Sequence, residues 1–184
     1  MKTVFLDRDG VINENLDNSY VKSWNEFKFI PGAKEAIKKL NEASWNIIVI
    51  TNQACIGRGL VSAHAIEEIN KLMIYEIEHF GGEIKAIYHC PHSPEEHCVC
   101  RKPRPGMLLQ ASNEFDINLT KSYLIGDKIS DIQAGIKVGC KTLLVKTGLG
   151  ERELQKINQC AVSPDFIVTD ITEAVDLILN FPVL

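Results

Sequence analysis

Short apolar runs recur along the chain at residues 3–6, 47–50, 84–88, 123–125, 142–145 and 166–168. Each has strand length and several are rich in β-branched side chains, so each is predicted to be a buried strand. Between them, apolar residues fall at spacings of three and four. Ala33, Ala36, Ile37 and Leu40 make one such stripe, and Ile66, Ile69, Leu72, Met73, Ile77 and Phe80 make a longer one. Both have the period of amphipathic helices. Ser62 stands where a helix N-cap belongs, and Ser130 with Gln133 has the spacing of a capping box ahead of Ala134. Strand and helix alternate, which predicts an α/β fold: a Rossmann-like, mostly parallel sheet with helices on both faces. Ligands of such sheets bind outside the carboxyl ends of the strands, so chemistry is expected just after each strand.

Two connections are longer than a turn needs. Residues 13–29 carry Tyr20, Trp24 and Phe27 with weak periodicity and read as a loop folded over the site. Residues 89–105 are crowded with Cys, His and Pro. At 184 residues and 45% hydrophobic side chains, the chain is expected to form a single domain, residues 1–184. The net charge is −4, without a long like-charged block, so nothing marks a nucleic-acid or membrane surface. No apolar run approaches the roughly eighteen residues of a membrane span, and the one after Met1 is too short for a signal peptide. The expectation is a cytoplasmic monomer acting on a small molecule.

The first predicted strand runs into Asp7-Arg8-Asp9-Gly10. Two carboxylates two residues apart on an extended chain point into one small volume. One can attack phosphorus while the other donates a proton to the leaving oxygen and later activates water. Taken alone, the pair is as well read as a charged strand end. The second strand ends in Thr51-Asn52-Gln53, which offers a hydroxyl and amides to phosphate oxygens, and the fourth ends in Gly126-Asp127-Lys128-Ile129-Ser130-Asp131. Magnesium, a hard cation that takes oxygen ligands, would offset the repulsion among Asp7, Asp9 and Asp127. Asp131 is open between ligand, brace and simple helix start, with the brace favoured. Lys102, with help from Lys128, supplies positive charge for a phosphate dianion.

A D-x-D-G-V run, Thr51 after the second strand, Lys102 before the last acidic motif and G-D-x-x-x-D occur in the order that resembles the haloacid dehalogenase superfamily, over residues 3–147. The resemblance implies that fold, with Asp7 as nucleophile, Asp9 as general acid and base, and Thr51 and Lys102 as phosphate stabilisers. It also implies magnesium held by Asp7, the main-chain carbonyl of Asp9, and Asp127.

Cys90-x-His92 and Cys98-x-Cys100 bring three thiols and an imidazole within eleven residues. Reduced thiols in this number suit one structural, tetrahedral zinc in a small loop at about residues 89–105. His89 and His97 flank the set and are alternatives for the nitrogen ligand. Cys55, Cys140 and Cys160 read as buried or incidental thiols, and His64 and His79 as ordinary helix residues. The zinc loop runs straight into Arg101 and Lys102, so a fixed metal would fix the phosphate-binding lysine too.

The run C-P-H-x5-C-x-C-R-K-P-x-P-G-M, with D-R-D-G-V-I-N, T-N-Q-x-x-I-x-R-G and G-D-K-x-x-D, is similar to the D-glycero-D-manno-heptose-1,7-bisphosphate 7-phosphatase family. That resemblance implies removal of the C7 phosphate of a heptose bisphosphate on the route to nucleotide-activated heptose for bacterial surface polysaccharide such as lipopolysaccharide. Its implied substrate contacts are Asp17, Asn18, Ser19 and Tyr20; Thr51, Asn52, Gln53 and Ala54; and Arg101 with Lys102. The segment between Asn13 and Tyr20 is slightly long for that pattern, and the zinc loop is short, as in the sister histidinol-phosphate phosphatases. Arg58 favours the heptose reading, because it suits a second phosphate and not the amine of histidinol. A non-catalytic zinc-dependent interaction module or a phosphate-storing switch is the alternative from another class. Neither needs an acid at Asp9.

Overall fold

The computed structural model describes residues 1–16, 19–160 and 162–180. Asp17, Asn18 and the side chain of Cys160 lie outside that description. Strands β1 (Thr3–Leu6), β2 (Asn46–Asn52), β3 (Ala86–Cys90), β4 (Ser122–Gly126), β5 (Lys141–Val145) and β6 (Phe166–Val168) form one sheet in the order β3-β2-β1-β4-β5-β6. Every pairing in it is parallel. The helices are α1 (Ala33–Glu42), α2 (Ala54–Gly57), α3 (Ala63–Phe80), α4 (Gly106–Phe115), α5 (Ile129–Val138), α6 (Gly150–Cys160) and α7 (Ile171–Asn180).

Helices cover both faces, which is why the strands read as continuous apolar runs. On β1, Val4 and Leu6 enter one core with Ile37 of α1, Met73 of α3 and Val175 of α7. Phe5 enters the opposite core with Leu108 of α4 and Ala134 of α5. Neighbouring strands repeat the division: Ile47 and Val49 against Ile48 and Ile50 on β2, Tyr123 and Ile125 against Leu124 on β4. Each large apolar side chain so buried contributes about 1.5–3 kcal/mol, and together they make β1 and β4 a rigid centre. The strand order reverses between these two strands, which places a ligand crevice at their carboxyl ends.

The predicted elements differ from the observed ones where hydrogen bonding, not apolarity, sets a boundary. β2 continues past its apolar run because Thr51 and Asn52 still pair with His89 and Cys90 of β3. β3 begins two residues later than the run at 84–88 suggests; Ile84 is buried, but it packs in the core ahead of the ladder. Ser62 does cap α3, its side chain accepting from the Ala65 N–H at 3.1 Å. The capping box from Ser130 to Gln133 does not form. α5 starts two residues earlier, at Ile129 with Lys128 as its N-cap, and the Asp131 carboxylate accepts from the Lys128 N–H instead, at 3.1 Å. On α3 the buried stripe is Ile66, Ile69, Asn70, Met73 and Ile77, while Leu72 and Phe80 are each 37% exposed.

Candidate active site

Asp7 follows β1 directly, and its N–H still bonds to the Ile125 carbonyl at 3.0 Å, so the central ladder holds it. Its Oδ1 accepts from the Arg8 N–H at 2.7 Å and lies 3.1 Å from Lys102 Nζ. That ammonium is buried. It also sits 2.6 Å from Asp131 Oδ1 and donates to the Ile50 carbonyl at 2.7 Å. Burial works against the charge on Lys102, but Asp131 and Asp7 outweigh it and raise its pKa. Both oxygens of Asp131 are thus engaged, one by Lys102 and one by the Lys128 N–H, the arrangement of a brace.

Asp9 is gripped on several sides. Arg8 Nη2 stands 3.1 Å from each of its oxygens, Asn13 Nδ2 donates at 2.9 Å and Gln53 Nε2 at 2.8 Å. Burial pushes this carboxyl up, yet Arg8, Asn13, Gln53 and Lys128 outweigh it and hold it below the usual carboxylate range. Gln53 also donates to Thr51 Oγ1 at 2.9 Å, so Thr51 near the end of β2 and Gln53 just past it form a bonded row that ends on Asp9.

Asp127, at the end of β4, completes a set of carboxylates. Oxygens of Asp7, Asp127 and Asp131 lie within 4.8 Å of one another. Asp127 Oδ2 accepts from Asn15 Nδ2 and from the Leu149 N–H, each at 2.9 Å. Oδ1 is buried without a hydrogen bond, although Lys128 Nζ lies 3.4 Å away. Burial pushes Asp127 up to about 7; Lys128 opposes that rise, while Asp7 and Asp131 add to it. Lys128 is itself raised, because the four surrounding carboxylates outweigh its own burial. An orphaned carboxylate oxygen beside two further carboxylates fits a hard divalent cation such as magnesium. The backbone makes room for the Asp127 carboxylate itself: Gly10 (φ +93°) and Gly148 (φ +60°) both abut its Oδ2, and a Cβ on either would overlap it.

A cleft of about 630 Å³ opens at these strand ends. Ser19, Tyr20, Asn52, Ala54, Arg58, Arg101, Lys102 and Lys128 line it, together with Asp9. Thr51 and Gln53 are buried and turned to the acids. Arg58 Nη1 donates to Tyr20 Oη at 3.1 Å, tying the loop at residues 13–29 to the end of α2. That loop packs on its own rings, Trp24 stacked on Phe27 at 4.8 Å and Phe27 edge-on to Phe29 at 5.1 Å. Asn15, Ser130, Leu149 and Arg152 also line the cleft and were not singled out in the sequence for it. Arg152 lies in the first turn of α6, a position that no motif marks.

The Cys and His cluster forms beside this cleft. Cys90, Cys98 and Cys100 place their sulfurs 3.3–3.5 Å apart, with His92 Nδ1 3.6 Å from Cys90 and 3.3 Å from Cys100. Zinc bonds of about 2.0–2.3 Å at tetrahedral angles put ligand atoms roughly 3.3–3.8 Å apart, so the four donors fit that ion. The cluster takes in neither His89, which pairs with Thr51 in the sheet, nor His97. The loop is tied to the cleft by Arg101 Nη1 donating to the His92 carbonyl at 3.3 Å and by Gly57 N–H bonding to the Pro91 carbonyl at 2.8 Å.

A family model described as HAD-hyrolase-like matches residues 99–174. A D-glycero-beta-D-manno-heptose-1,7-bisphosphate 7-phosphatase from Pseudomonas putida is 42% identical over 156 residues, spanning 85% of this chain and 89% of that one. The protein of that name from Bordetella bronchiseptica is 39% identical over 154 residues, 84% of this chain and 86% of its own. A crystal structure of the D,D-heptose 1,7-bisphosphate phosphatase from B. bronchiseptica, complexed with magnesium and phosphate, superposes with a TM-score of 0.90 at 35% identity, covering 98% and 99% of the two chains.

Fold and relatives together define a phosphoric monoester hydrolase of the haloacid dehalogenase class. That sets aside the interaction module. Within the class, the chain belongs to the D-glycero-D-manno-heptose-1,7-bisphosphate 7-phosphatase family. Among the described residues, no helix is long and apolar enough to cross a membrane.

Proposed function

We propose that the protein is a magnesium-dependent phosphatase that removes the C7 phosphate of D-glycero-D-manno-heptose 1,7-bisphosphate, in the cytoplasmic synthesis of nucleotide-activated heptose. Residues 1–184 act as one catalytic domain, and the protein works as a monomer. The observation that carries this reading is the division of cations around one cleft. Lys102 and Lys128 lie beside Asp7, whereas Arg58 and Arg101 are tied to Tyr20 and to the zinc loop. Two groups of positive charge suit a substrate with two phosphates.

In the proposed reaction the C7 phosphoryl group is held by Lys102, Lys128 and Thr51, which stabilise charge on its outer oxygens. Asp7 Oδ1 is retained by Lys102 and the Arg8 N–H, which leaves Oδ2 to attack phosphorus. Without substrate, Asp9 is held ionised by its neighbours. It takes up a proton from solvent as the phosphate dianion enters beside it, and gives that proton to the departing sugar oxygen as the C7 oxygen–phosphorus bond breaks. Asp9 then takes a proton from water, whose oxygen attacks the aspartyl phosphate and restores Asp7. Bound by Asp7, the Asp9 carbonyl and Asp127, magnesium would neutralise charge on the transferring group. Cys90, His92, Cys98 and Cys100 would hold a structural zinc, and the loop so fixed would fix Arg101 and Lys102 with it.

The sister reading, a histidinol-phosphate phosphatase, is tested by steady-state kinetics on both substrates. The heptose bisphosphate is expected to win by at least about tenfold in kcat/KM, roughly 1.4 kcal/mol of discrimination. Arg101→Ala should erase most of the difference between bisphosphate and monophosphate. Equal efficiency, or faster turnover of histidinol phosphate, would overturn the heptose assignment and leave the Asp7 chemistry standing.

A further inference from the structure

Arg8 separates the two acids in sequence, yet its side chain is fully buried and does not line the cleft. A guanidinium stays charged at any ordinary pH, and taking it out of water costs several kcal/mol unless every side of it is paired. Its partners are few and well aimed. Nη2 lies 3.1 Å from both oxygens of Asp9, Nε lies 3.4 Å from Oδ1, and on the far side Nη1 donates to Asn70 Oδ1 at 3.0 Å.

Asn70 has no better reason to be where it is. It is 7% exposed and sits on the buried stripe of α3 with Ile66, Ile69 and Met73, where a leucine would bury more apolar surface. The two residues are 62 positions apart and meet behind Asp9. A bidentate fork fixes the plane of a carboxylate as a single donor cannot. Asn13 and Gln53 hold its remaining edges.

We infer that Arg8, anchored by Asn70, is a positioning residue that sets the plane of the Asp9 carboxylate toward the leaving oxygen of the phosphate ester. This rests on Asp9 being the acid and base proposed above. A mere brace between β1 and α3 would support all turnover equally. A positioning role matters most when the leaving group needs a proton.

The test measures kcat and KM for heptose 1,7-bisphosphate, a poor leaving group, and for p-nitrophenyl phosphate, a good one. The variants are Asn70→Leu, which keeps volume and removes the acceptor, Arg8→Lys, which keeps charge and removes the fork, and Asp9→Asn. Asn70→Leu is expected to lower kcat on the heptose substrate by roughly tenfold and on the aryl phosphate by less than about threefold, with KM nearly unchanged. Arg8→Lys should show the same split, enlarged. If Arg8→Lys does not fold, Asn70→Leu decides alone. Equal losses on the two substrates, or a loss confined to KM, would overturn the inference even when Asp9→Asn shows the split. If Asp9→Asn itself hurts both substrates alike, the acid role of Asp9 falls, and this inference with it.

Discussion

Asn52 and Lys102 exchange two hydrogen bonds, the Lys102 N–H donating to Asn52 Oδ1 and Asn52 Nδ2 donating to the Lys102 carbonyl, each at 3.1 Å. The end of β2 thereby grips the exit of the zinc loop at the residue whose ammonium reaches Asp7. An amide engaged on both of its groups with a backbone is a clamp as much as a cleft wall.

That clamp should matter to turnover. Asn52→Ala is expected to lower kcat by about tenfold or more, since a shift of about one ångström in a catalytic group costs up to a hundredfold, while the fold keeps its sheet. Unchanged kcat with a raised KM would show that Asn52 serves binding alone.

Magnesium binding should weaken as pH falls through about 7, because burial pushes Asp127 up to about 7 and the ion must displace its proton. The sign for the metal-free protein follows from the same shift. The folded state holds this proton at pH values where the unfolded chain has lost it, so the group's contribution to stability is present below about pH 4 and is lost as pH rises through about 7. The rise in Tm on adding magnesium is therefore expected to be larger at pH 8 than at pH 6. An equal or reversed effect would remove Asp127 from the metal site.

One zinc per chain should survive chelation that strips magnesium, and Cys98→Ser should release it. Sulfur and nitrogen donors 3.3–3.6 Å apart are pre-arranged for that ion alone among the two. Loss of zinc is expected to lower Tm and to reduce kcat through Arg101 and Lys102. Elemental analysis that finds no zinc in protein prepared without chelators would refute the site.

The sheet was legible in the sequence because strands buried on both faces must be apolar throughout, and six such runs lie at the six observed strands. Asp7, Asp127 and Lys102 were legible for a different reason: strand ends of a parallel sheet share one edge, so residues at several ends meet whatever their spacing. The pairing of the Asn52 amide with a backbone was not legible, since an amide after a strand serves phosphate or peptide equally well. Nor was the role of Arg8, whose only sign was an asparagine at position 70 on an otherwise apolar stripe. Ser130 misled because a capping box is a local pattern, and Asp131, bonded to the Lys128 N–H and to Lys102, started the helix earlier. Arg152 enters the cleft through the packing of α6, which local spacing does not encode.

The reaction itself is tested most directly by phosphorus NMR of D-glycero-D-manno-heptose 1,7-bisphosphate incubated with the enzyme and magnesium, with Asp7→Asn as the blank. The C7 phosphate signal is expected to disappear as one equivalent of inorganic phosphate grows in, while the C1 phosphate signal persists and the blank stays unchanged. Loss of the C1 signal first, or phosphate release by Asp7→Asn at the parent rate, would contradict a C7 phosphatase that works through Asp7.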